Sequence, residues 1–349
     1  MIFLKKRSKS DKEQKLERIT NTTVEQHRRE ILESAKRFKY PVQYEKHRLV
    51  ISATLIGITF LIIFFSGVVW RLYLVHDTND FLYKITQVIP FRIGQIDQQP
   101  ILYSDYLAYY RSAWHYHLNK DISLQSDPTE ESEKQLSDKY SRSALINAAK
   151  IALVKKIAQD KNISVSQEEI DKELNLKLTY NNEKMSLTTF DSVIKDYYGL
   201  SRAEYRQIFL QYPLLLRKVV YEIDDRAKAT VKDIRDKIKQ HGDDANFETI
   251  AKELENQNVS FVDSGVIMLG ANDNGLSDVA MKQNPNSISE TFVSYNLNEC
   301  NILKVIAKND SSLHYQALKV PLMAFNEQYQ RLESEQKIIN YIGLDLNKK

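Results

Sequence analysis

Hydrophobic and polar positions change rhythm several times along this chain. The sharpest change is Leu49 to Trp70, LVISATLIGITFLIIFFSGVVW, 22 residues without a charge. A helix of that length crosses the apolar core of a bilayer, which predicts one transmembrane helix over 49–70. The run is too long for the apolar part of a cleaved leader and follows 48 other residues. Before it, Val24, Ile31, Ala35 and Phe38 recur on one helical face. Thr22-Thr23-Val24-Glu25 reads as a capping box at the start, and Pro41 as the stop. The expected element is an amphipathic helix within a tail, residues 1–48, either lying on a membrane surface or simply solvated.

Beyond the span, FRIGQIDQQPILYSDYLAYYRSAWHYHL predicts a short strand in which Arg92, Gly94 and Ile96 alternate. A turn at Gln98-Gln99-Pro100 and an aromatic helix follow. Residues 121–139 are polar and acidic with one proline, which reads as a linker or long exposed loop. Residues 143–223 read as a helical array. SALINAAKIALVKKIAQ opens it, Ser166 to Glu169 and Ser201 to Glu204 cap later helices, and Pro213 predicts a kink. From 224 the rhythm changes again. Two helices, RAKATVKDIRDKIKQ and NFETIAKELEN, precede a strand-like FVDSGVIML, a short helix LSDVAMKQ, a turn NPNS and a β run ECNILKVIA. SLHYQALKVPLM alternates like a strand and leads into a helix, FNEQYQRLESEQKIINYI, with Phe325, Tyr329, Leu332 and Ile339 on one face. The fold class expected is α+β and mostly helical. Its parts are the span, a helical domain at 76–223, a small α/β domain at 224–322 and a C-terminal helix at 323–349.

Charge gives this outline a direction. Residues 29–48 hold six Lys/Arg and residues 71–90 hold two, so the positive-inside rule puts the N-terminus in the cytosol and the C-terminal mass outside. Residues 1–48 carry a formal +7 and the remainder −4, which the whole-chain +3 conceals. Attraction of the basic tail to an anionic inner leaflet explains it without nucleic acid. The single cysteine, Cys300, excludes an internal disulfide and a cysteine-based zinc site. No phosphate-cradling G-x-x-x-x-G-K-[ST] loop is present.

Two blocks carry a family pattern. RSALINAAKIALVKKIAQDKNISVSQEEIDKEL followed by LTTFDSVIKDYYGLSRAEYRQIFLQYPLLLRKVV resembles the chaperone domain of SurA/PrsA-type extracytoplasmic foldases. RIGQIDQQPILYSDY resembles the strand and helix that lead into it. The second block resembles a parvulin (PpiC-type) peptidyl-prolyl isomerase domain. NFETIAKEL corresponds to that family's F-x-x-L-A-x-x helix, DSGVIMLG to its G-G-D-L-G strand, and SYNLNECNILKV to its last strand, T-x-x-G-x-H-I-I-K-V. The resemblance implies twisting of an X-Pro amide across a barrier of roughly 18–20 kcal/mol. It also implies an apolar proline pocket above two strand histidines and a Cys or Asp. Here the last-strand histidine position falls on Asn301 and the pocket phenylalanine on Leu276. The pocket methionine falls on or near Asn272, and the Cys/Asp position near Gln257 or Asn258. The first strand is missing before residue 224. Two expectations follow: residues 311–322 take its place in the sheet, and the C-terminal helix returns to the helical domain.

Candidate residues follow from both readings. Leu269, Leu276, Met281 and Asn301 form the candidate peptide-binding cleft. Asparagine hydrogen-bonds but does not titrate near neutral pH, so isomerisation is expected to be weak or lost, and no residue is assigned as catalytic. Tyr103, Tyr106, Tyr109 and Tyr110, with Tyr116, read either as a packed aromatic helix interface or as a surface for unfolded chains. His115 and His117, two apart on a helix, face different ways, so no metal site is expected, and no cofactor. The function expected is a membrane-anchored extracytoplasmic chaperone for unfolded or exported polypeptides. The alternatives are an active prolyl isomerase and a cell-envelope scaffold for one partner.

Overall fold

The computed structural model describes residues 20–39, 41–121, 130–180, 183–242, 245–309 and 311–344. The chain divides into two compact units, residues 1–69 and 70–349.

In the first unit, α1 (Asn21–Lys39) starts earlier than its sequence suggested. The cap lies at Thr20, whose backbone N–H donates to Thr23 Oγ1 at 2.9 Å, not at Thr22. A threonine three residues on thus replaces the expected glutamate. The apolar run lies in α2 (Pro41–Trp70), where Pro41 opens the second helix as it closes the first. One stretch, His47–Val75, is long and apolar enough to cross a membrane.

The second unit starts at Trp70, within the last turns of that apolar stretch. A π-turn over Arg71–Val75 leads to α3 (Asp80–Val88), whose first turn is held by Asn79 accepting from the Leu82 N–H at 2.9 Å. Leu72 is fully buried, and its carbonyl accepts from the Tyr103 hydroxyl at 2.6 Å. A hairpin follows, β1 (Arg92–Ile96) and β2 (Gln99–Leu102). Its turn is not at Gln98-Gln99-Pro100. Asp97 and Gln98 are both left-handed, a two-residue hairpin turn, and Gln99 and Pro100 already pair in β2.

Helix α4 (Tyr103–Asp121) packs on α5 (Glu130–Asp160). Residues 130–139 were expected in a linker but form the first turns of α5; residues 122–129 lie outside the described residues. Acidic and polar composition reports solvent contact, not the lack of a helix, and Glu, Lys and Gln are good helix formers. The small-residue stripe Ala144, Ala148, Ala149 and Ala152 of α5 lets its neighbours approach closely and is buried. Then come α6 (Gln167–Leu178), a β3–β4 hairpin (Thr179–Tyr180 and Glu183–Lys184), α7 (Leu187–Tyr198), α8 (Arg202–Tyr205) and α9 (Tyr212–Glu222). Both expected capping boxes are present, at Ser166/Glu169 and Ser201/Glu204. Pro213 has no N–H to donate back along the helix. The chain absorbs the loss as a π-turn over Arg206–Gln211.

The remainder is a five-stranded antiparallel sheet with helices on both faces. Helices α10 (Asp225–His241) and α11 (Phe247–Glu253) precede β5 (Ser260–Asp263) and β6 (Ile267–Met268). Then follow α12 (Leu276–Ala280), β7 (Phe292–Val293), β8 (Glu299–Lys308) and β9 (Ser312–Pro321). The order is β5-β9-β8-β7, with β6 also on β9. Residues 316–319 therefore pair on both sides, with β8 and with β5.

The chain then forms α13 (Ala324–Ser334) and β10 (Ile338–Asn340). The helix expected to run through Ile339 stops five residues short of it. Gln336 is left-handed, and Ile339 pairs with Gln95 of β1. The C-terminal segment thus returns to the helical half twice, through Tyr329 of α13, whose ring lies under Lys150 of α5 at 5.5 Å, and as β10 on β1. Gly94 is obligatory there, because a Cβ on it would collide with the Ile339 carbonyl oxygen.

Candidate functional site

The expected peptide cleft is closed. Helix α12 lies on one sheet face, and Leu276, 1% exposed, is packed into an apolar cluster with Ala280, Leu303, Val305, Leu313 and Tyr315. Leu269 and Met281 pack half-buried on the same cluster. Three of the four cleft candidates are brought together, Leu276 as core and Leu269 and Met281 at its half-buried edge. Asn301 lies on β8 between Phe292 of β7 and Lys319 of β9 and is also 1% exposed. Neither its Oδ1 nor its Nδ2 has a hydrogen-bond partner. Gln257 gives its amide N–H to Asp233 at 2.9 Å, and Asn272 is exposed in the loop before α12.

Alternation along β8 turns Cys300 to the opposite face from Asn301. It is fully buried, and burial pushes its thiol up to about 12. A thiol so disfavoured as thiolate is a packing residue rather than a nucleophile.

The tyrosines of α4 are interior. Tyr103, Tyr106 and Tyr110 are buried and continue into Trp114 as a ladder of ring contacts 5.6–6.2 Å apart. The exposed chaperone surface expected of them is absent, and the packed aromatic interface is what forms. Helical spacing of i, i+3, i+7 and i+11 stacks these rings along one stripe against α5. Tyr109 leaves the stripe. It is half-buried and lines two cavities. His117 packs against Trp114 and Tyr140, while the His115 ring lies against Gly199, so their neighbours differ. Among the described residues no group of three His, Cys, Asp or Glu side chains is placed to hold a metal.

What the structure opens instead is a trough along α9. A cavity of about 290 Å³ lies between Tyr109, Tyr116, Tyr140, Tyr198 and Phe209. Tyr109 and Phe209 also wall a second cavity of about 260 Å³ that includes Leu210, Pro213, Leu216 and Leu297. Glu173, Arg217 and Tyr295 wall that cavity and a third, of about 280 Å³, floored by Leu176, Leu214, Val279 and Phe292. Adjacent cavities share walls, so they form one interrupted trough running from the helical array to the sheet.

Tyr295 separates the last two cavities. Its hydroxyl donates to Asp278 Oδ2 at 2.7 Å, and its backbone N–H donates to the Asn274 carbonyl at 2.8 Å. Arg217 and Lys177 lie over its ring, 5.0 and 5.4 Å from the centroid. Gly275, at φ +91°, abuts the ring where a Cβ would come within 3 Å. Arg217 also meets Glu173 at 3.2 Å. Pattern analysis of the core misses these residues because they belong to surfaces between elements. The signals available were weak: a lone Arg-Lys pair inside the apolar YPLLLRKVV, and an aromatic inside the turn-like SYNLNE.

No protein-family model matches the chain, and no curated protein or solved structure matches it.

Proposed function

We propose that this chain is a membrane-anchored extracytoplasmic chaperone that holds unfolded polypeptide in the trough along α9. The observation that carries this reading is the run of three adjoining cavities with aromatic and aliphatic walls. Rigid aromatic side chains offer large contact area without demanding one partner shape, which suits many sequences. The span at His47–Val75 supplies the anchor. The excess of Lys and Arg before it favours an N-terminus in the cytosol and residues 76–349 outside. The helical array with its lead-in hairpin and the sheet order that admits β9 are in keeping with a foldase of the SurA/PrsA type carrying a degenerate parvulin-like domain. Leu276 packed as core and a non-titrating Asn301 speak for weak or absent prolyl isomerisation.

The test uses the full chain reconstituted in nanodiscs. It is expected to delay aggregation of several unrelated unfolded proteins at near-stoichiometric ratio, with Tyr109→Asp and Phe209→Asp each weakening the effect. Isomerisation of a proline tetrapeptide is expected to stay near the uncatalysed rate. Protection of one protein alone would point to a scaffold, and rapid isomerisation to an enzyme; either result sinks the proposal.

A further inference from the structure

We infer that the cavity between α6, α9 and the sheet selects polypeptide segments in which a carboxylate side chain lies beside an apolar one. This rests on the polypeptide-binding reading above and names the chemistry that the trough prefers.

The floor of the 280 Å³ cavity is apolar, and Lys172, Arg217 and Lys282 stand on its walls. The two carboxylates on those walls are already engaged. Glu169 meets Lys218 at 2.6 Å, and Glu173 meets Arg217 at 3.2 Å. Asp278, close by, holds the Tyr295 hydroxyl. Among the described residues neither Lys172 nor Lys282 forms an ion pair. Lys282 lines the cavity but is exposed, and its pKa lies below the ordinary lysine value. Desolvation is the main cause; Glu173 and Asp278 oppose it, and Lys172 and Arg217 add repulsion. An incoming carboxylate would offset the Lys172 and Arg217 charges and pair with the Lys282 ammonium beside the apolar floor, in a pair open to salt screening. A small inorganic anion would leave Leu176, Leu214, Val279 and Phe292 unmatched, whereas a Leu-Glu pair covers floor and wall together.

The experiment measures binding of fluorescent peptides, identical except for a central Leu-Glu or Leu-Gln, to the full chain in nanodiscs. The Glu peptide is expected to bind about tenfold tighter, a difference of ~1.4 kcal/mol. The ratio should shrink toward one in Lys172→Gln/Lys282→Gln and as salt rises to 0.5 M. Lys282→Arg should restore it, which separates loss of charge from loss of fold. Equal binding of both peptides by the parent chain, or an unchanged ratio in the double variant, overturns the inference while leaving polypeptide binding intact. Displacement of the Glu peptide by millimolar inorganic phosphate, with the Gln peptide unaffected, would reassign the lysines to a small anion and also overturn it. Binding of neither peptide defeats the chaperone reading itself.

Discussion

Asn301 is a polar group in the wrong solvent. Its amide is buried on β8 with no hydrogen-bond partner on either atom, so the fold bears its desolvation uncompensated. Asn301→Leu, near in volume, is expected to raise unfolding stability by about 1–2 kcal/mol, read as a higher urea midpoint at unchanged slope. A lower midpoint would mean that the site pairs in a way the structure lacks. The neighbouring Cys300 gives the opposite kind of handle. With its thiol pushed up to about 12, reaction with a maleimide at pH 8 should run about a thousandfold slower in the folded chain than in urea. As the only cysteine it reports unfolding without further engineering. Asn301 drew attention in the sequence because a family pattern put histidine there. That it is buried without partners was not legible, because burial depends on what α12 and β9 bring over it.

Elements with a strong local code were readable. Ser166/Glu169 and Ser201/Glu204 cap where the sequence places them, because a capping box is decided within four residues. Elements set by distant partners were not. Residues 338–340 form a strand only because β1 lies alongside, and three residues hold too little pattern to announce it. The Asp224 carboxylate shows what joins such elements. It accepts from the Ala227 N–H of α10 at 3.0 Å, and from the N–H groups of Met323 and Ala324, at 2.8 and 3.0 Å, where α13 begins. Burial alone would raise its pKa, but those three donors outweigh burial and hold it below the ordinary carboxylate value. Its stabilisation is therefore complete above the unfolded-state value near 4 and is lost as pH falls through the depressed folded value. Asp224→Asn should cost about 1–3 kcal/mol at pH 7 and flatten the fall of stability at acid pH, followed by urea titrations between pH 7 and 2.5.

At the scale of the molecule, a mostly helical α+β chain with one membrane-length apolar helix was legible from periodicity, since 22 uncharged residues and repeated 3.6-residue spacing leave few alternatives. The trough was not, because its walls come from α4, α6, α9 and the loop before β8, and no local pattern links them. Closure of the second unit is equally non-local: Gly94 of β1 faces Asn340 of β10, about as far apart in this unit's sequence as two paired residues can be. Gly94→Ala, by forcing Ile339 away, is expected to cost about 1–3 kcal/mol and to remove hydrogen-exchange protection from residues 338–341. The same pairing sets a timetable. Synthesis from the N-terminus makes β1 early, yet β1 waits for β10, which is made far later. The centre of the larger sheet, β9, is also a late arrival. Until then the emerging chain presents unpaired strand edges and an unfinished sheet. A protein proposed to shelter unfolded polypeptides therefore begins as one that needs shelter, and the arrival of β9 and β10, not the appearance of its helices, is the event that completes its sheets.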